Sequence, residues 1–341
     1  MKYRTLGRTG VRVSNLCLGT MMFGTWGNKD HDESIRVVHR ALDAGINMID
    51  TADLYSHGEA ETIVGNALAG GRRDNVVLAS KFHNPMGDDV NARGNSRRWI
   101  VQAVENSLRR LQTDHLDLYQ VHRPDPDTDI EETLGALTDL QRAGKIRYFG
   151  TTTYPAHELV TAQWTSERRN FGRFVTEQPP YSLFARGIEA DVLPVAQQLA
   201  LGVLVWSPLG GGWLSGAYRK DSPDFVSDRN KLMPGLFDIT APHNAGKLDA
   251  AEALALLAEE LGISLIHLAL GFVLSHPAVT AAIIGPMNVD QLESQLAASD
   301  LVLEHETLDR IDDIVFPGRN MTERDAGYLP PAIVQSSLRR R

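Results

Sequence analysis

The chain has 341 residues, ordinary apolar and charged content, and a net charge of −9. That balance argues against a nucleic-acid partner, which would call for a basic patch, and the arginines at 339–341 read as a short solvated tail. Cys17 is the one cysteine, so an intrachain disulfide is excluded and a reducing cytosol fits. No stretch reaches the length of a membrane span and no signal-peptide core follows Met1, so a soluble cytoplasmic protein without a membrane partner is expected.

Tyr3 to Leu6 and Val11 to Ser14 alternate in character around Gly7 and Gly10 and predict a β-hairpin. Leu16 to Leu18 is a short apolar run closed by Gly19 and Thr20. Ile35, Val38, Ala41 and Leu42 predict a helix over Glu33 to Ala44, stopped by Gly45. Strands follow at Asn47 to Asp50, Val76 to Ala79, Leu116 to Val121 and Arg147 to Gly150. Helices Glu61 to Leu68, Arg98 to Leu111 and Ile130 to Ala143 separate them. A helix over Pro155 to Arg168 opens with a proline near its first position. Next come a strand at Phe174 to Thr176, a helix at Ile188 to Ala200 that Pro194 weakens or bends, and a strand at Val203 to Trp206. A long loop, about Leu209 to Gly246, precedes helices at Leu248 to Leu261 and Leu265 to Leu274. Strand Ala281 to Ile284 and helix Val289 to Ala298 end the series.

Short apolar runs thus alternate with helices eight times, which predicts βα units and a parallel sheet. Eight units after one hairpin fit a closed (β/α)8 TIM barrel better than an open doubly wound sheet. The open sheet more often carries a G-x-G-x-x-G turn after its first strand, and here Gly19 is followed by Thr20, Met21, Met22, Phe23 and Gly24. One domain is expected over 1–341, with its core at about 16–298 and the tail at about 317–341 as a lid over the mouth or partly disordered.

Barrel enzymes build their sites at the C-terminal strand ends. There stand Asp50, Lys81, His122, Thr152, Gln178, Ser207 and Gly285, with Tyr55 on the loop after the second strand. A buried carboxylate needs a partner, and Lys81 is the candidate. An ammonium beside a phenol lowers its pKa from about 10. Tyr55 could then give a proton to a developing alkoxide, with His122 orienting the carbonyl oxygen. No serine or cysteine nucleophile with a base is apparent, and no His/Cys spacing suggests a metal. An acid without a nucleophile suits hydride addition to a carbonyl, the hydride coming from a cofactor. Singly, each residue has an ordinary reading: a structural ion pair, a histidine on a loop carbonyl, a packed tyrosine. Trp206, Phe174 and Cys17 read as packing.

The segments LGTMMFG, INMIDTADLY, ASKF, DLYQVHRPD, EQPPYSL, WSPLGGGWLSG and IIGPMNVDQLESQL resemble the aldo-keto reductase family, from the hairpin to about Ala298. The resemblance implies an NAD(P)H-dependent carbonyl reductase with Asp50, Tyr55, Lys81 and His122 as its tetrad. It implies cofactor contacts at Gly19, Thr20, Met21, Asp50, Thr152 and Gln178, with Tyr181 stacked on the nicotinamide. Ser207, Pro208, Leu209, Gly210 and Gly216 would wrap the pyrophosphate. Ile284, Gly285, Met287, Gln291 and Gln295 would hold the adenosine end. Two positions depart from the family. Thr152-Thr153 stands for the usual Ser-Asn, and Met287 for an arginine that would bind the 2′-phosphate. NADPH is the expected cofactor and NADH the alternative.

Tyr55, His122 and Trp26 are expected to meet a small-molecule carbonyl substrate. Trp99 and Trp213 read as lining an apolar pocket at the mouth or as packing. A homo-oligomer is compatible with the sequence. Two further readings compete: a Schiff-base aldolase using Lys81, which Asp50 opposes by keeping the lysine charged, and a cofactor-binding regulatory module like the channel-associated members of that family.

Overall fold

The computed structural model describes residues 1–221, 225 and 234–339; part of the expected long loop lies outside them. Strands β1 (Tyr3–Thr5) and β2 (Arg12–Ser14) pair as the antiparallel hairpin. Eight parallel strands then close a barrel in chain order. They are β3 (Leu16–Gly19), β4 (Met48–Asp50), β5 (Val77–Phe82), β6 (Leu116–Val121), β7 (Ile146–Thr152), β8 (Thr176–Gln178), β9 (Gly202–Val205) and β10 (Val279–Ile284). β10 pairs back onto β3, Ile284 beside Leu18.

The intervening helices are α1 (His31–Asp43), α2 (Glu59–Ala67), α3 (Arg97–Leu111), α4 (Ile130–Arg142), α5 (Ala156–Arg169) and α6 (Val192–Gln198), followed by helices Ala245–Glu260, Leu265–Ser275 and Val289–Leu296. Several start earlier than their apolar spacing predicts, because the side chain that caps the first N–H groups stands before the first buried residue. Asp30 caps α1 on Glu33, and Ser96 caps α3 on Trp99. Pro194 does not bend the helix at Ile188 to Ala200. The segment divides into a 3₁₀ turn at Gly187–Glu189 and α6, and Pro194 falls in the first turn of α6, where no intrahelical N–H bond is needed. Helix His305–Ile314 was not expected beyond the barrel. Its signal is the apolar spacing of Leu308, Ile311 and Ile314, and Ile311 is buried.

Two apolar layers form. The larger lies between strands and helices and contains Trp99 and Trp213, so neither lines the mouth. The smaller fills the barrel with Cys17, Met48, Ala79, Leu118, Leu204 and Ala281, and the hairpin's Leu6 and Val13 pack against it. The hairpin therefore plugs the N-terminal end of the barrel. Side chains along a strand alternate between faces. Two residues above that filled layer, the inward positions are Gly19, Asp50, Lys81, Gln120 and Trp206. The sequence thus places its polar groups in the top layer by parity alone.

The tail runs back over the barrel. Met321 N–H donates to Phe184 O at 2.8 Å and Arg186 N–H to Arg319 O at 3.2 Å. Gly327 lies against Trp206, and a Cβ there would stand 2.5 Å from the indole. No single helix among the described residues is long and apolar enough to cross a membrane.

Candidate active site

Strands β4 and β5 set the centre. Asp50 lies beside Ala79 in the ladder, and Lys81, two residues on, points inward next to it. Lys81 Nζ donates to Asp50 Oδ2 at 2.5 Å, to Thr51 O at 2.9 Å and to the Tyr55 hydroxyl at 3.0 Å. Lys81 is fully buried and Asp50 nearly so. Burial works against the lysine's charge, but Asp50 and Tyr55 outweigh it and the net shift is upward. The far carboxylate oxygen of Asp50 accepts from Gln178 Nε2 at 2.9 Å and Gln120 Nε2 at 3.4 Å. Gln120 is held in turn by Thr176 Oγ1 at 3.1 Å.

Tyr55 is half-buried in a tight turn where Ser56 and His57 adopt positive φ. Its phenol departs from expectation. Burial raises its pKa by more than Lys81 lowers it, so the net direction is upward and the proton stays on the oxygen. His122 stands edge-on to Tyr55, ring centroids 5.9 Å apart. Burial, with the charges of Lys81 and Arg123, pushes the imidazole well below its usual range, so it is neutral. Asn84 Nδ2 reaches its Nδ1 at 3.1 Å. That donor assigns the ring proton to Nε2, leaving a hydrogen-bond donor there. Trp26 lies 6.4 Å from the Tyr55 ring.

The remaining expected residues spread around the same mouth. Thr20 is tied to Asp50 O by its N–H at 3.0 Å, with Met21 half-buried beside it. A Cβ on Gly19 would stand 2.6 Å from Ile283. Thr152 turns its hydroxyl to His122 O at 2.8 Å. Ser207, at φ +52, leads into Pro208, Leu209 and a glycine turn with Gly210 at φ +57. Among the described residues nothing stands against a Cβ on Gly216 or Gly285, and Ile284 is buried. Gln291 Oε1 accepts from Met287 N–H at 2.9 Å. Among the described residues Gln295 Oε1 is buried with no hydrogen-bond partner, while its Nε2 is held by Gln291 O.

Tyr181 does not join them. Its ring packs 5.6 Å from Phe272 and 5.8 Å from His276, and its hydroxyl donates to Glu189 Oε1 at 2.7 Å. It is 1% exposed and has no free face for a nicotinamide ring. A half-buried aromatic at the mouth that the sequence reading passed over is Trp206, whose Nε1 donates to Thr153 Oγ1 at 3.4 Å. Its place two residues above Leu204 on an inward face is the signal that could have found it.

Glu177 was also missed. It is fully buried, accepting from Thr151 Oγ1 at 2.5 Å and Tyr154 N–H at 3.1 Å. Burial pushes its carboxyl up to about 7. The unfolded chain therefore ionises first as pH rises. The group's contribution to stability is whole below pH about 4 and is lost by pH about 7, an amount of about 3 kcal/mol. Glu177→Gln should remove that loss, since its amide can donate to Thr151 Oγ1 and still accept from Tyr154. Denaturant unfolding of both proteins at about pH 5 and pH 8 checks it; equal slopes with pH would refute it.

A family model for the aldo/keto reductase family matches residues 15–315. Among similar proteins, an uncharacterized oxidoreductase YrpG of Bacillus subtilis is 40% identical, covering 93% of this chain and 97% of that one. Aldo-keto reductase YhdN of the same organism is 36% identical over 92% and 94%. A probable voltage-gated potassium channel subunit beta of Oryza sativa is 35% identical over 95% and 99%. The chain belongs to the aldo/keto reductase family and is an NAD(P)H-dependent oxidoreductase.

Proposed function

We propose that this protein reduces aldehyde or ketone carbonyls to alcohols, with Tyr55 as the general acid. One observation carries this reading: a single buried ammonium, Lys81, is hydrogen-bonded to both Asp50 and the Tyr55 hydroxyl. A phenol that holds its proton at rest, but stands beside a fixed positive charge, is stabilised as phenolate only while it gives the proton up. His122 Nε2–H can hold the carbonyl oxygen between itself and Tyr55. The nicotinamide, when bound, supplies the hydride.

The residues present fit such a cofactor. Gln295 Oε1, unpartnered among the described residues, suits an adenine amino group. The open space at Gly216 and Gly285 leaves room for the backbone to meet phosphate. Gln178 Nε2 is committed to Asp50, so what this side chain offers a carboxamide is its acceptor oxygen. Trp206 offers the aromatic face that Tyr181 lacks.

Cofactor preference turns on Met287 and Glu33. No guanidinium stands at position 287, and Glu33 Oε1 already accepts the Val289 N–H at 3.1 Å, at the start of the helix where the 2′-phosphate is expected. Both dinucleotides should therefore be used. Met287→Arg should raise NADPH affinity by roughly 1.5–3 kcal/mol and do little for NADH. Dissociation constants for both cofactors at fixed salt measure this. A wild-type preference for NADPH of about a thousandfold, ~4 kcal/mol, would mean that another cation reaches the phosphate.

The overall test is cofactor oxidation with a panel of aldehydes, ketones and sugars. The reading fails if none is reduced, or if borohydride traps a covalent adduct on Lys81. The likeness to a protein named as a potassium channel subunit supports a second reading, a cofactor-bound docking subunit; the complete Asp50–Lys81–Tyr55–His122 set favours turnover.

A further inference from the structure

Arg123 follows His122 directly and sits beside the reacting groups. It is half-buried, and burial lowers its pKa from the usual guanidinium value. Its Nη1 donates to His122 O at 2.6 Å, Thr152 Oγ1 at 3.0 Å and Thr153 Oγ1 at 3.3 Å. All three acceptors are neutral. Among the described residues, Nε and Nη2 make no hydrogen bond and no carboxylate lies within ion-pair distance. The guanidinium carbon stands 6.0 Å from the Trp206 ring centre, at the mouth. Glu177, a carboxylate whose charge acts on it, is already bonded to Thr151 and Tyr154.

A half-buried cation without a counter-ion is incompletely solvated, and an arginine fork with free donors matches a carboxylate bidentately. The three bonds from Nη1 fix the fork, so little side-chain freedom is lost when an anion docks. We propose that Arg123 is a specificity-determining residue that binds a carboxylate carried by the carbonyl substrate, making oxo-acids and formyl-acids the preferred substrate class. The inference rests on the reductase reading given above.

The test compares kcat/KM for para-formylbenzoate and succinate semialdehyde, each against its neutral methyl ester, in wild type, Arg123→Met and Arg123→Lys. The ratio of acid to ester is the readout, since a general loss of folding or cofactor binding cancels from it. Wild type should favour at least one acid, and Arg123→Met should reduce that ratio by roughly ten- to a hundredfold, as expected for a charge-assisted bond. Arg123→Lys should keep part of the preference, having charge without the fork. Ester reduction with no preference for either acid in wild type overturns this inference and leaves the reductase reading standing. So does an unchanged ratio in Arg123→Met; weaker cofactor binding alongside it would give the guanidinium to the cofactor. Reduction of neither acid nor ester overturns the reductase reading itself.

Discussion

Tyr55→Phe should lower carbonyl reduction by roughly 10²–10⁴-fold, the usual worth of a positioned general acid, and leave cofactor affinity nearly unchanged. The change removes one hydroxyl and almost no volume. Lys81 loses its 3.0 Å contact with the phenol but keeps Asp50 and Thr51 O, so the fold should be scarcely destabilised. Because the resting phenol is raised, not lowered, wild-type activity should not fall as pH moves through neutrality on account of Tyr55. Wild-type turnover in the variant would assign the proton to another donor, with His122 Nε2 the next in place.

Lys81→Met should be comparably inactive and also less stable. It removes the charge that stabilises the departing proton's phenolate. It also leaves the Asp50 carboxylate buried with only the amides of Gln178 and Gln120. Breaking a buried pair from one side typically costs about 3–5 kcal/mol. Asp50→Asn should act from the other side, leaving the fully buried ammonium without its counter-charge. Single-turnover rates and denaturant midpoints for both variants measure the two effects. Two variants that melt and turn over like wild type would show that the pair does no work in the protein.

The barrel was legible because its signals are local. Eight apolar runs and their glycine or capped boundaries survive in the sequence whatever the tertiary context, and each expected strand exists, Leu116–Val121 with the expected bounds and the others shifted at one or both ends. β5 shows why those ends moved: the run Val76 to Ala79 looked complete, but polar Ser80 and Lys81 continue the strand to Phe82, because Ser80 bonds Glu61 in the outer layer and Lys81 bonds Asp50 inside. Helix His305–Ile314 lay beyond the βα rhythm and was passed over for that reason.

The site was legible where strand ends fix it and illegible where side-chain direction decides. Asp50, Lys81 and His122 follow from position. Tyr181 and Trp206 both look like aromatics after a strand. Three-residue β8 and the Pro179-Pro180 turn hide the rotation that carries Tyr181 to Phe272 and His276, whereas Leu204 fixes the parity of Trp206. The raised phenol of Tyr55 depends on how deeply it is enclosed, and the idle donors of Arg123 depend on partners being absent. Neither quantity is written in a motif.

The most direct test of the account is a single mixing experiment with NADPH or NADH carrying deuterium at the transferable position and an aldehyde from the panel. The account predicts that cofactor absorbance falls in one enzyme-dependent phase and that the alcohol carries one deuterium on its carbinol carbon, with the phase slowed in Tyr55→Phe. Cofactor that binds and stays reduced with every aldehyde, or an alcohol without the label, would contradict it.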